Sequence, residues 1–189
     1  MQAIAAVLSR VAGDRLGESV VPTMSVRENL FINPFNIGKA LLAPYLASEE
    51  VPAALRQAET FEIRPRHTEV PVSALSGGNQ QKVVIARWMN IETPVLVLED
   101  PTAGVDVGAR AEIYALLNQA LERGVAVLVI STDFEEIAHI CNRALVFNRG
   151  RVSGELLNEQ VTFANLLHLA CADEVPEKAS SDINPLATA

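Results

Sequence analysis

Cysteine, aromatic residues and positive charge are all scarce in this chain of 189 residues. The two cysteines, Cys141 and Cys171, are too few for a disulfide framework or a cysteine-based metal site, and they suit a reducing compartment. Aromatic residues make up 5% of the chain, which weakens any case for stacking on nucleic-acid bases. Lys and Arg number 15 against 23 Asp and Glu, for a net charge of -8, so a broad basic surface for DNA, RNA or anionic lipid is excluded.

Long hydrophobic runs are also missing. The longest continuous apolar runs span about half a dozen residues, well short of a membrane-spanning helix. The first residues, Met1 to Leu8, are apolar but lack the basic start and the small-residue cleavage site of a signal peptide. With 49% apolar and 20% charged residues, the composition predicts a soluble, acidic, intracellular domain with a real core.

Three short apolar runs alternate with helical patterns in the second half of the chain. The runs at 95–98, 125–130 and 144–147 show no polar alternation, which is typical of strands covered on both faces. Between the first two, apolar residues from Ile113 to Leu121 recur at helical spacing. This order predicts an α/β fold with a parallel sheet and crossover helices, and residues 151–155 read as a hairpin partner of the last strand.

Composition sets two regions apart from this pattern. Residues 34–66 carry four prolines among short Ala/Leu-rich stretches, which fits a small helical subdomain with short helices, and residues 173–189 are predicted to be a disordered, polar tail.

The most informative segment is the run 75–83, Leu-Ser-Gly-Gly-Asn-Gln-Gln-Lys-Val, which directly precedes a helical pattern. A serine hydroxyl and unhindered backbone N–H groups at a helix N-terminus favour a phosphate, because the helix dipole and the unpaired donors point at it. The alternative is an ordinary serine N-cap after a flexible turn. Taken alone, this run favours an ordinary serine N-cap over a phosphate-binding turn.

The segments after this run change that balance. A buried strand follows, and then the string Glu99-Asp100-Pro101-Thr102-Ala103-Gly104-Val105-Asp106. This order resembles the ATPase subunits of ABC transporters. The Asn-Gln-Gln form of the run is similar to that of ribose, galactose and xylose importers. In that group two ATPase halves are fused, and this form of the run is characteristic of the C-terminal half. The string Met24-Ser25-Val26-Arg27-Glu28-Asn29-Leu30 is similar to the family's entry into its helical subdomain. The resemblance implies a P-loop-NTPase-like fold, carbohydrate import, and ATP and Mg²⁺ as cofactors. It also implies a Q-loop-equivalent lead-in at 1–23, a helical subdomain with the signature at 24–90 and the C-terminal part of the catalytic α/β core at 91–172.

The resemblance also implies roles for single residues. In this family an ATP site is built between two halves, so the signature run would bind the γ-phosphate of ATP that a second ABC ATPase half holds. The residues implied in nucleotide binding are Ser76, Gly77, Gly78, Asn79 and Gln80. Asp106 would cross the interface and help to position the opposing P-loop.

Three departures from the family pattern bear on hydrolysis. No Gly-x-x-x-x-Gly-Lys-Ser/Thr occurs, so the sequence resembles the later part of a nucleotide-binding domain, truncated at its N-terminus. The family's strand ends Asp-Glu, but here Glu99 takes the Mg²⁺-organising position and Asp100 the position that polarises the attacking water. Thr132 stands where the family usually has a switch histidine. We therefore expect this half's own site to be slow or inactive.

The family implies partners and a location as well. The helical subdomain would contact transmembrane permease subunits at the cytoplasmic face of the inner membrane, with a sugar-binding protein reached indirectly and no nucleic acid. Whether the chain acts as an enzyme stays open, since a non-catalytic, degenerate ABC-domain fragment that serves only as an interaction module is the alternative. An ATPase head of the chromosome-maintenance type is a third possibility, which the lack of a heptad run disfavours.

Overall fold

The computed structural model describes residues 8–13, 15–32, 47–89 and 93–172, which form two compact units that divide between Ile130 and Ser131. The strands are β1 (Leu8–Val11), β2 (Val95–Glu99), β3 (Ala126–Ile130), β4 (Arg143–Asn148) and β5 (Arg151–Leu157). The helices are α1 (Val26–Phe31), α2 (Ala47–Thr60), α3 (Gly77–Met89), α4 (Val107–Glu122), α5 (Phe134–Ile140) and α6 (Phe163–Cys171). Short helical turns lie at Arg15–Ser19, Val72–Ala74 and Asn158–Gln160. The predicted tail at 173–189 lies outside the described residues, and so does the predicted boundary between 90 and 91.

The first unit contains a parallel sheet with the strand order β1-β2-β3. The central strand β2 is buried from Leu96 to Leu98, as its continuous apolar run predicts. The register pairs Val11 with Leu98 and Glu99 with Ile130, so the carboxyl ends of the three strands meet at one edge. The strand predictions at 95–98 and 125–130 are confirmed, whereas β1 was missed because half of its four residues are polar.

One strand of this sheet is less covered than its sequence predicts. The side chains of Leu128 and Ile130 on β3 are 53% and 50% exposed, although the run is as apolar as β2. Helix α4 packs against β3, and among the described residues β3 pairs with β2 alone. The expectation that β3 is covered on both faces is therefore wrong for this structure.

The second unit contains a hairpin and two helices. Strand β4 pairs antiparallel with β5, and Arg149 and Gly150 join them with φ of 47° and 78°, the backbone that a tight hairpin turn requires. The predicted hairpin is confirmed. The prediction that 144–147 is a strand of the parallel sheet is wrong, because among the described residues this strand, β4, pairs with β5 alone. Helix α6 packs on the hairpin, and the Phe163 ring meets Phe134 edge to face at 6.3 Å.

Helix α1 begins with a reciprocal cap. The Ser25 hydroxyl accepts a hydrogen bond from the Glu28 backbone N–H at 3.2 Å, and the Glu28 carboxylate accepts one from the Ser25 N–H at 2.8 Å. The hydrogen bond from the Ser25 backbone lowers the pKa of Glu28.

Within the described residues, no helix combines the length and the apolar character needed to cross a membrane.

Candidate functional site

The signature run forms the first turn of α3, with an exposed serine just before the helix begins. The Ser76 hydroxyl accepts a hydrogen bond from the Asn79 side-chain amide at 2.9 Å. The Asn79 amide oxygen accepts one from the backbone N–H of Arg64 at 2.7 Å. Asn79 thus links the preceding loop to the serine and fixes the position of its oxygen. A hydroxyl that accepts one hydrogen bond still has its own O–H to donate, so Ser76 can serve as a donor toward a ligand.

The two glycines of the run lie in different surroundings. The first N–H groups of any α-helix have no acceptor within the helix, and this applies to Gly77 and Gly78. Gly78 is buried, and a Cβ atom built on it would lie 2.4 Å from the Cβ of Ala109 in α4. The family resemblance implied that both glycines take part in nucleotide binding. The structure gives Gly78 a further reason, which is the close approach of α3 to α4.

Gln80 is one of the buried residues of the run. Its side-chain amide nitrogen donates to the carbonyl oxygen of Leu75 at 3.0 Å and to that of Val72 at 3.3 Å. The side chain is therefore engaged with its own chain and fastens the loop that leads into α3. Its predicted role in nucleotide binding is untested, and this geometry gives it a supporting function for the turn.

Asp106 caps the helix that follows the β2 loop. Its carboxylate accepts a hydrogen bond from the Ala109 backbone N–H at 2.9 Å, so it is the N-cap of α4. Ala109 is also the residue that the missing Cβ of Gly78 would meet. Ala109 thus contacts both the cap of α4 and the first turn of α3. The signature run and Asp106, the two predicted parts of the site, therefore belong to one packed arrangement.

Two buried cations hold α3 in place, and sequence reasoning did not single out either of them. Lys82 forms an ion pair with Glu112 of α4 and donates to the carbonyl oxygen of Glu62 at 3.0 Å. Arg87 is farther along the same helix and donates to the carbonyl oxygens of Ser19 and Asn29 at 2.7 Å each. These contacts connect α3 to α4, to α1 and to the turn before α1.

Arg87 remains charged despite its burial. Its side chain also donates to the side-chain oxygen of Asn29 at 3.3 Å. Burial lowers the pKa of Arg87 to about 10, which is still far above neutral pH, and the carbonyl dipoles around it favour the charged form. The helix that carries the signature run is therefore anchored by an internal cation that is hydrogen-bonded to backbone oxygens.

The acidic end of β2 is paired with a neighbouring strand. Both oxygens of Glu99 accept from Arg10 of β1, one from Nε and one from Nη2, each at 2.8 Å. Arg10 stands opposite Val97 in the register, so its long side chain reaches the residue two positions farther along β2. The hydrogen bond from Arg10 lowers the pKa of Glu99, and the same contact raises the pKa of Arg10. Sequence reasoning missed this arginine, because only the strand register reveals it.

Asp100 lies where the chain leaves the sheet. Its φ is 42°, a left-handed conformation that a non-glycine residue seldom adopts. Its N–H donates to the carbonyl oxygen of Ile130 at 2.8 Å, and its own carbonyl accepts from Ala103 at 3.0 Å. These hydrogen bonds turn the loop toward the buried Pro101 and Thr102. Glu99 and Asp100 thus have different backbone surroundings.

The residues at this end of β2 do not fit a magnesium site as they stand. Both oxygens of Glu99 are hydrogen-bonded to a cation, whereas a metal ligand needs an oxygen directed at the ion. Across the part of the chain that the structure describes, no group of three or more His, Cys, Asp and Glu residues could hold a metal ion.

Thr132 belongs to the second unit and is exposed. It lies between β3 and Asp133, whose carboxylate accepts from the backbone N–H groups of Glu135 and Glu136 and caps α5. Its predicted place at the switch position stays a prediction.

Known proteins with similar sequences were found for nearly all of the chain. The profile of the ABC transporter family matches residues 5–103, more than half of the sequence. The ribose import ATP-binding protein of Chelativorans sp. strain BNC1 is 36% identical over 97% of the chain and 36% of its own length. A ribose import ATP-binding protein of Rubrobacter xylanophilus is 40% identical over 86% of the chain and 32% of its own length. The xylose import ATP-binding protein of Escherichia coli K12 is 32% identical over 92% of the chain and 34% of its own length.

Solved structures with the same fold are ABC cassettes. The dimeric structure of MJ0796, a bacterial ABC transporter cassette, superposes with a TM-score of 0.65 at 24% identity, covering 80% of this chain and 62% of that one. MJ1267, an ATP-binding cassette of an ABC transporter, gives 0.66 at 21% identity, covering 86% of this chain and 68% of that one. These likenesses confirm the predicted P-loop-NTPase-like α/β fold.

The chain spans about a third of the length of the curated relatives it matches. The family profile covers α3, which begins with the signature run, and β2, which ends at the acidic residues. It also covers α1. The resemblance inferred from the residues is thus confirmed, and the chain belongs to the ABC transporter family.

Proposed function

We propose that this chain contributes the signature turn to a composite ATP site of a carbohydrate importer. In this proposal the P-loop that holds the nucleotide belongs to a second ABC ATPase half, and the first turn of α3 contacts the γ-phosphate from the opposite side. Support for the transport class comes from the relatives, which are named as ribose and xylose import ATP-binding proteins. ATP is the expected nucleotide.

The observation that carries the proposal is the geometry of Ser76. The residue is exposed at the N-terminus of a 13-residue helix, and its hydroxyl oxygen is held by Asn79. Helix α3 cannot easily tilt, because Lys82 and Arg87 tie it to three neighbouring segments. A phosphate approaching this turn would meet positioned donors and the positive end of the helix dipole.

The remaining predicted residues have more limited roles in this proposal. Gly77 offers a backbone donor in the first turn. Asn79 orients the serine hydroxyl, while Gln80 and Gly78 fix the turn against its own unit. Asp106 is exposed at the start of α4 and would face the partner half.

The proposal includes a place in a larger assembly. The helical segment 24–90 would contact transmembrane permease subunits, so the chain would act at the cytoplasmic face of the inner membrane. The permease, in turn, would receive sugar from a binding protein. ATP would draw the two ATPase halves together, because its γ-phosphate satisfies donors on both sides, and hydrolysis would release them.

The test is the ATPase activity of this chain mixed with a P-loop-bearing ABC ATPase half. Replacing Ser76 by Arg puts a bulky cation in the turn, and we expect the rate of the mixture to fall about a hundredfold, as when one essential phosphate-site donor is lost. The matched control is Ser73→Arg, at an exposed serine of the same loop, which should behave like the native chain. Equal rates for Ser76→Arg and the native chain would refute the proposal.

A second candidate function is a non-catalytic interaction module. The pairing of Glu99 with Arg10 favours it, because the acidic strand end is already neutralised within the chain. The two functions differ in whether association with the second half depends on ATP. Sedimentation velocity with and without ATP distinguishes them, since an interaction module would associate equally well in both conditions.

A further inference from the structure

We propose that Arg10 occupies the place on Glu99 that a divalent cation would need, so that the carboxyl end of β2 is a metal-free ion pair. This inference does not depend on the composite ATP site. It concerns only the chain's own acidic strand end and reverses the expectation that Glu99 is a magnesium ligand.

The first support is the geometry of the pair. The guanidinium group presents two parallel N–H donors to the two carboxylate oxygens, each at 2.8 Å, which is the bidentate arrangement that arginine forms best. The Gly13 backbone adds a further hydrogen bond to Glu99. Three of the roughly four lone-pair sites of the Glu99 carboxylate are then occupied, which leaves little room for an ion.

The second support is the position of the arginine in the fold. Arg10 lies within a strand that is paired with β2, so the backbone registers of both strands define the contact. A guanidinium group keeps its charge at any physiological pH. A divalent cation approaching Glu99 would therefore meet a permanent positive charge a few ångströms away, and the two cations would repel each other.

The third support is the small number of other ligands. The position of Gly13 faces both acids, since a Cβ atom built there would lie 3.5 Å from Oδ2 of Asp100 and 3.6 Å from the Cβ of Glu99. Glycine brings no ligand to this place. Glu99 and Asp100 are the acidic residues at this strand end, and among the described residues no third His, Cys, Asp or Glu joins them in a group that could hold a metal ion.

The experiment measures Mn²⁺ binding to the full chain by electron paramagnetic resonance, with the metal alone and no nucleotide or partner. The variants are Arg10→Gln, Arg10→Gln combined with Glu99→Gln, and Glu99→Gln alone. The matched control is Arg143→Gln, which breaks another exposed arginine–glutamate pair, that with Glu155. Because Arg10 is itself exposed, its replacement should leave the chain folded, which circular dichroism checks.

We expect the native chain, Glu99→Gln and Arg143→Gln to bind Mn²⁺ equally weakly. Arg10→Gln should bind about tenfold more tightly, because a unit positive charge is removed from beside Glu99. The gain should vanish in the double variant. Native binding that Glu99→Gln abolishes would overturn the proposal, and so would the absence of any gain in Arg10→Gln.

A second measurement uses the unaltered chain. The Nε–H signal of Arg10 in a ¹H–¹⁵N spectrum should stay unchanged on addition of millimolar Mg²⁺, since the ion pair persists. A shift of that signal that saturates with Mg²⁺ would contradict the proposal even if the variants failed to fold. Failure of the composite-site proposal would alter neither result, because no ATP is present.

Discussion

Replacing Gly78 by Ala tests whether the close contact between α3 and α4 is a real constraint. The added Cβ would lie 2.4 Å from the Cβ of Ala109, whereas ordinary contact begins at 3.4 Å, so the helices must separate by about 1 Å. Overpacking of this size costs about 1–3 kcal/mol, and the helix propensity of Ala over Gly returns at most about 1 kcal/mol. We expect a net loss of about 1–2 kcal/mol in the free energy of unfolding.

Urea unfolding followed by circular dichroism measures this loss. The control removes the other half of the contact: in an Ala109→Gly background, Gly78→Ala should cost little or nothing, because the new methyl group then has space. Two results would refute the reasoning. One is a Gly78→Ala chain as stable as the native one, and the other is an equal loss in both backgrounds.

Two further predictions concern the helices that support the signature turn. Arg87→Met should lower the free energy of unfolding by about 2–4 kcal/mol, because the carbonyl oxygens of Ser19 and Asn29 lose their donor. Arg87→Lys should recover part of this loss. Equal urea midpoints for Arg87→Met and the native chain would contradict the prediction. The second prediction is a pH dependence at Glu28. Since its pKa is lowered in the folded chain, its contribution to stability is present above its ordinary value of 4.5 and is lost as the pH falls through the folded value. Glu28→Gln should therefore reduce stability at pH 7 but change it little at strongly acidic pH. Urea unfolding of the variant and the native chain at both pH values measures this. A difference in stability between the two chains that stays constant with pH would show that the cap does not depend on the charge.

Local patterns were sufficient to predict most of the elements of this chain. Three of the predicted elements depend on residues close together in sequence. They are the helix that begins with the signature run, the helix over Ile113 to Leu121 and the hairpin turn at Gly150. The capping box of α1 is also a local signal, although the sequence analysis did not single it out. Such elements can be found from sequence because spacing alone decides which face of a helix is apolar and where a turn can form.

The missed features depend instead on tertiary register. Arg10 meets Glu99 across 89 residues of sequence, and only the pairing of β1 with β2 places them together. Gly78 reads as a flexible or anion-facing residue until Ala109 is seen beside it. The exposed side chains of β3 show the same limit, since an apolar run signals that a strand prefers burial and does not say which segment covers it.

The two parts of the candidate site differ in what they offer to a ligand. At the start of α3, hydrogen bonds within the chain hold the Ser76 oxygen and the helix itself, and the Ser76 O–H can still donate. At the end of β2, the chain's own arginine satisfies the carboxylate that would otherwise attract a cation. In the composite site that we propose, such an arrangement would help to complete a nucleotide site on a second half and would be poorly suited to host one. In that proposed pair, the half-site formed with this chain's own acids would be the weaker of the two.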